Sequence, residues 1–297
     1  MLVILMCMSC ISKDCDCQKY RSYTIIDTTI SNVNLVRVNS GWYKSGLSCE
    51  TKLIDYDYWI GKYEITNKQF YDFLTAAVKQ HKIVLKQHKI ICFYNGDDNI
   101  ESGLFIAKYP DKAIYIDSTN QLRLSNQLAN HPVIGVSWFG AKAFCNFYGF
   151  DLPQIDEWEK AARGNFCIRF PWGDDIDSTC ANFYNSNDPY EPYTTPVGFY
   201  DGNYKNSFYT KNSVSSYGCY DMAGNAWEWT NDRFNQSSPY YCGKGGGFNL
   251  HNPAHMQVYY VSTFRVKEDN PPLDRTHLSD GFRVVKRIKN HEIFYHH

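Results

Sequence analysis

The chain has 297 residues and a net charge of −1, with acids and bases interspersed. No basic face gives a case for nucleic-acid binding, and no apolar run reaches the ~18 residues that cross a bilayer. Apolar residues make up 43% and charged residues 21%, an ordinary globular balance. With 24 Tyr and 18 Phe, aromatic rings dominate the available core.

Residues 1–22 read as a leader and tether. Met1–Ile11 (MLVILMCMSCI) is apolar, and polarity then rises sharply. The segment resembles the apolar part of a secretory signal without the basic stretch before it. Cys10 follows the small Ser9, as a lipid-modified cysteine would; the other reading is a frayed apolar N-terminus. On the first reading the protein is exported, to the cell envelope or secreted, and lipid-anchored through Cys10 as a lipoprotein. Four of the 11 cysteines fall in the first 17 residues. Cys15 and Cys17 are too close for a zinc knuckle, and the rest lack metal-ligand spacing. An exported location permits disulfides, whose pairing the sequence does not assign.

Residues 23–40 form an N-terminal strand segment rich in Thr, Ile and Val. Tyr58 to Ile65 reads as another strand. Thr66 and Gln69 then give a capping box, and Phe70, Phe73, Leu74 and Ala77 share one helical face. KQHKI occurs at 79–83 and again at 86–90, a spacing that puts both copies on nearly the same helix face, at a solvated helix end. His81 and His88 make a poor metal pair at that spacing. Residues 94–131 read as an irregular insertion with short strands. A second helix starts at Ser137 and stops at Gly149, with Ala141, Phe144, Cys145 and Tyr148 as its stripe. A third follows Pro153, takes Asp156 and Glu157 at its positive end, turns Trp158 inward and ends at Gly164. From Phe170 to Arg287, short aromatic strands alternate with Gly, Pro, Asn and Asp. The fold class is α+β, loop-rich, with short strands and few helices.

Several segments recur in an order that identifies a family. They are YWIGKYEITNKQFYDFL (58–74), HPVIGVSWFGAKAFCNFYGFDLPQIDEWEKAARG (131–164), FPWGDD (170–175), CANFYN (180–185), TTPVGFY (194–200), YGCYDMAGNAWEWTNDRF (217–234), KGGGF (244–248) and DGFRVV (280–285). Together they resemble the formylglycine-generating enzyme family, the sulfatase-modifying factor domain, over residues 41–288, leaving 289–297 as a C-terminal tail. The resemblance implies a C-type-lectin-like core. It departs from the family at Asp151 and Gln154, which flank the Leu-Pro turn.

The resemblance also implies sites. Asp221, Gly224, Ala226 and Glu228 match a calcium site, and hard cations take six to eight such oxygens. Asn182 and the Phe183 carbonyl match a second, with Asp188 or Glu191 as its acid. Family enzymes oxidise a substrate cysteine to formylglycine with copper held by two cysteines. Those positions are Leu250 and His255 here, so copper is not expected; Cys219 and Cys242 do not fit the spacing. The expected protein is therefore a non-catalytic relative that binds a ligand or an envelope protein through 249–280. Asn249, His251, His255, Tyr259, Asp274 and Arg275 are its candidate ligand-binding residues. A purely structural envelope subunit is the blander form of this reading. The alternative is a formylglycine-generating oxidoreductase for sulfatase maturation, or a related metal-dependent oxygenase, with an altered metal site.

Overall fold

The computed structural model describes residues 26–86, 91–94, 103–105, 113–236, 240–265 and 279–288. The leader 1–22 with Cys10, the second KQHKI copy with His88, the pair Asp274 and Arg275, and the tail 289–297 lie outside the described residues.

The strands and helices run in this order: β1 (Asp27–Ile30), β2 (Val33–Val38), β3 (Gly41–Ser45), β4 (Glu50–Ile54), β5 (Tyr58–Gly61), α1 (Asn67–Lys79), β6 (Ile83–Lys86), β7 (Ile91–Tyr94), β8 (Gly103–Phe105), β9 (Ile114–Ile116), β10 (Leu122–Leu124), α2 (Trp138–Tyr148), α3 (Ile155–Arg163), β11 (Tyr204–Lys205), β12 (Phe208–Tyr209), β13 (Trp227–Arg233), β14 (Tyr240–Lys244), β15 (Ser262–Arg265), β16 (Asp280–Gly281) and β17 (Val285–Arg287). Two four-stranded sheets organise them, β1-β2-β5-β17 and β15-β14-β13-β16. The first joins the N-terminal strands to the C-terminal one, so residues far apart in sequence meet across the β5–β17 pair. In the second, β13 pairs parallel with β16 and antiparallel with β14.

Local signals account for the helices. Thr66 Oγ1 accepts from Gln69 N and Gln69 Oε1 accepts from Thr66 N, closing the capping box ahead of α1. Phe70, Phe73, Leu74 and Ala77 are all buried. Ser137 caps α2, and Gly149 ends it at φ 74°. Gln154 precedes α3, and the cap comes from Glu157, whose Oε2 accepts from Gln154 N at 2.7 Å. Glu157 does more than serve the helix end: fully buried, it also holds both arms of Arg287 and the Tyr56 hydroxyl.

Two expectations give way. The strand from Tyr58 ends at Gly61, because the chain bends there; a Cβ on Gly61 would lie 2.8 Å from the Tyr63 carbonyl. The helix does not run on through the KQHKI repeat. α1 stops at Lys79, His81 takes a left-handed φ of 58°, and Ile83–Lys86 is β6, paired with β7. The run Ile83-Val84-Leu85 favours a strand and overrides the spacing of seven.

The larger core cluster is aromatic. Phe144 of α2 meets Phe73 at 5.5 Å, Phe282 at 5.4 Å and Phe70 at 6.0 Å between ring centroids. A second cluster packs Trp158, Ala161 and Ala162 of α3 against Val36, Tyr58 and Ile60. A disulfide between Cys49 and Cys167, with Cα atoms 5.6 Å apart, ties the β3–β4 turn to the loop after α3. Phe144→Ala removes the ring shared by both helices and the C-terminal segment, so unfolding free energy should fall by about 3–5 kcal/mol in urea denaturation.

Candidate functional site

The GNAWEW segment runs into β13, which sets Glu228 in the middle of the molecule. Glu228 and Arg283 are both fully buried and paired through two contacts of 2.6 Å, one to each carboxylate oxygen. Trp158 Nε1 donates to the same carboxylate at 2.7 Å. Arg283 also donates to the carbonyls of Gly61 and Tyr220. Burial works against its charge, and Glu228 overrides this, holding the guanidinium above its ordinary range.

Glu64 was not singled out from the sequence. It is buried, with Oε1 accepting from Ala226 N at 2.8 Å and Oε2 from the Asn225 amide at 2.7 Å. The available signal was an acid between Tyr63 and Ile65 in an otherwise apolar run. Asp221 is also buried and accepts from Gly198 N at 2.6 Å. Burial pushes the Asp221 carboxyl up to about 6, against the pull of the Gly198 N–H and Arg283. Burial raises Glu64 as well, and the charges of Asp221 and Glu228 add to it. Three carboxylates thus surround one guanidinium, a local excess of negative charge.

The two segments of the predicted calcium sites touch. Gly224, at φ 83°, presses against the Asn182 carbonyl, and a Cβ there would lie 2.3 Å from that oxygen. Asn225 N donates to the same carbonyl. So 182–183 and 221–228, read as two sites, form one contact. The donors suit a hard cation in kind: carboxylate and carbonyl oxygens in a region short of positive charge. Glu228 accepts three hydrogen bonds and Asp221 one, and a carboxylate has about four acceptor positions, so both retain capacity. The acids of the second predicted site have partners within their own loop. Asp188 accepts from Ser186, Tyr190 and Tyr200, and Glu191 from the backbone of Asn185 and Asn187. Among the described residues, no group of three or more His, Cys, Asp and Glu side chains is arranged to hold a metal.

The glycine cluster delivers the chain to the surface. Gly245 and Gly246 have φ of 89° and 82°, and a Cβ on Gly246 would lie 2.4 Å from Met256 Cγ. Lys244 is fully buried beneath them and donates to the Val258 carbonyl at 2.6 Å. Burial draws its ammonium down to about 8, opposed by the charge of Glu159. Leu250 packs against the aromatic core cluster and against a smaller one of Phe170, Trp172, Cys180, Ala181, Ala223 and Met256, and its carbonyl accepts from Tyr184 N. His255 lies in a 3₁₀ turn, Pro253–Met256, and stacks on Tyr260 at 4.6 Å. His251 is exposed and sits 3.8 Å from the Tyr184 ring. The two histidines therefore rest on different tyrosines. Asn249 is exposed, and the half-buried Tyr259 lies near the Arg163 guanidinium. Cys145, Cys180, Cys219 and Cys242 are all buried.

Comparison with known proteins matches this geometry to a family. The sequence model of the sulfatase-modifying factor enzyme 1-like domain matches residues 27–288. The chain is 37% identical over 132 residues to a serine/threonine-protein kinase pkn1 of Chlamydia caviae, covering 42% of this chain and 18% of that protein. It is 36% identical over 104 residues to an inactive C-alpha-formylglycine-generating enzyme 2 of Bos taurus, covering 35% of this chain and 33% of that one. These matches span only a minor part of either relative. The fold is that of PvdO from Pseudomonas aeruginosa, with a TM-score of 0.59 at 18% identity, covering 89% of this chain and 98% of PvdO. The chain belongs to the sulfatase-modifying factor enzyme 1-like domain family.

Proposed function

We propose that this chain is a non-catalytic member of its family, exported, which binds a ligand or an envelope partner through the loop surface beginning at Asn249. One observation carries the reading. At the two positions matching the family's copper cysteines, Leu250 is packed among apolar residues and His255 is stacked on Tyr260. A cuprous ion needs soft thiolate ligands, and an alkyl side chain has no lone pair to offer. Export is supported by the Cys49–Cys167 disulfide, which suits an oxidising compartment, and by the apolar Met1–Ile11 ahead of Cys10.

Asn249, His251, His255 and Tyr259 are the candidate contacts, together with Asp274 and Arg275 from the same stretch. We also read 221–228 as a calcium site, with Asp221 and Glu228 supplying charge and the Gly224 and Ala226 carbonyls completing it. Its role would be to neutralise the buried acids and stiffen the segment that carries them.

Cuprous titration of the reduced protein tests the first reading. No stoichiometric binding and no oxygen-dependent turnover of a cysteine peptide are expected; tight one-to-one binding with turnover would sink it. For the second, added calcium should raise Tm in the parent and not in Asp221→Ala. A calcium response that persists in Asp221→Ala removes this site from consideration. Without calcium, Glu228→Gln should cost about 3–5 kcal/mol, because it strips the partner from a buried guanidinium, and more with calcium, whose stabilisation it also removes.

A further inference from the structure

The β3–β4 hairpin has two faces with different fates. Tyr43, Ser45 and Ile54 point inward and are buried. α3 fastens this side through main-chain carbonyls: Lys160 donates to Gly41, and Arg163 to Lys44 and Gly46. Glu159 accepts from Gly46 N, and the Cys49–Cys167 bond pins the turn. On the outer side, Trp42 and Leu53 are direct partners across the strand pair and so share a face. They are 58% and 51% exposed, and Leu47 in the turn is 75% exposed. Scattered apolar residues are normal on a surface. Here they are grouped on one element that the rest of the molecule holds rigid.

Charge around this face is largely answered. Lys52 pairs with Asp156; Lys44, on the same face as Trp42, donates to the neutral Thr51 hydroxyl, and its charge is offset by the nearby acid of Glu50. Glu50 adds an exposed acid at the turn, where Ser48 donates to it. The face is therefore apolar and close to neutral.

The second observation is where the chain enters. The Ile26 carbonyl accepts from Arg37 N, and β2 ends at Val38, just before β3 begins at Gly41. Ile26, the first described residue, thus lies at the start of the strand beside β2, whose end leads into the base of the hairpin. Ile26 is itself an exposed apolar residue. The stretch from Ile11 to Ile26 spans at most about 50 Å. A membrane holding the apolar N-terminus or a lipid on Cys10 would have this hairpin within reach.

We propose that the Trp42–Leu53 face docks on a lipid surface, with Leu47 as its leading tip. This rests on the export reading above and names what the hairpin meets there. Trp suits the membrane–water boundary, where an apolar ring carries a polar N–H. A hairpin already fixed by α3 and a disulfide has little conformational freedom left to lose on docking. Because the face is near neutral, its contribution should not be screened by salt.

The test uses the full chain with phosphatidylcholine vesicles carrying brominated acyl chains. Among the seven Trp, five are at most 9% exposed and Trp59 is half-buried, so quenching reports Trp42. Quenching is expected, lost in Trp42→Phe and little changed by high salt. Leu47→Ser with Leu53→Ser should lower vesicle partition about tenfold. Co-sedimentation without quenching would mean that the N-terminus alone holds the protein; it overturns the docking face and leaves the export reading standing. A dimer dissolved by Leu53→Ser, with no quenching on vesicles, would give the face to a second copy and also overturn it. Quenching in a protein whose Cys10 carries no lipid and which is retained in the cytoplasm supports the face and sinks the export reading.

Discussion

The pairing of Glu228 with Arg283 is the constraint on which the rest of the molecule depends. Neither group reaches water, and neither could stay charged there alone. Their joint geometry fixes the start of β13 against the segment leading into β17. Trp158 adds α3 through its indole N–H, and the Gly61 and Tyr220 carbonyls add the end of β5 and the loop before Asp221. The end of β5, α3, the 220–228 stretch and the segment leading into β17 are thereby set around one ion pair. A buried pair of this kind is not by itself strong evidence of stability. Its effect here is to specify position, since each segment must arrive with its donor correctly aimed.

Around that pair the two sheets and three helices divide the work. The aromatic cluster of Phe70, Phe73, Phe144 and Phe282 supplies apolar burial on one side, and α3 with β2 and β5 supplies it on the other. The long irregular stretch between α3 and β13 is held by an apolar cluster around Phe170, Trp172, Cys180, Ala181 and Ala223 together with hydrogen bonds, including those to the buried Asp221, Asp188 and Asn225. Polar groups removed from water need partners, and here the loops provide them to one another. This is how a chain with so little regular structure between Gly164 and Trp227 keeps a defined shape.

Much of this was legible in the sequence wherever the cause was local. Thr66 with Gln69, Ser137 with Gly149, and Gly164 each mark a helix boundary through bonds reaching only a few residues. The apolar stripes followed from the helical period. The repeat at 79–90 misled because a spacing of seven has meaning only if the helix continues, and His81 ends it. What depended on distant partners was not readable. Glu64 meets Asn225 and Ala226 across most of the chain, Cys49 finds Cys167, and Arg287 reaches back to Glu157. The candidate calcium residues were visible as a motif. That the 182–183 and 221–228 segments touch through Gly224 and the Asn182 carbonyl was not, since nothing in either segment names the other.

The surface loop after the glycine cluster is supported largely through its main chain. Lys244 reaches the Val258 carbonyl, Tyr184 N reaches the Leu250 carbonyl, and Val258 N reaches the Arg169 carbonyl. Such contacts are indifferent to which side chain the supported residue carries. Outward-facing positions such as Asn249 and His251 can therefore be exchanged while the loop keeps its path, whereas Gly246 and Met256 beneath it cannot. The architecture separates what the surface displays from what holds it up, leaving this display open to diversification at little risk to folding.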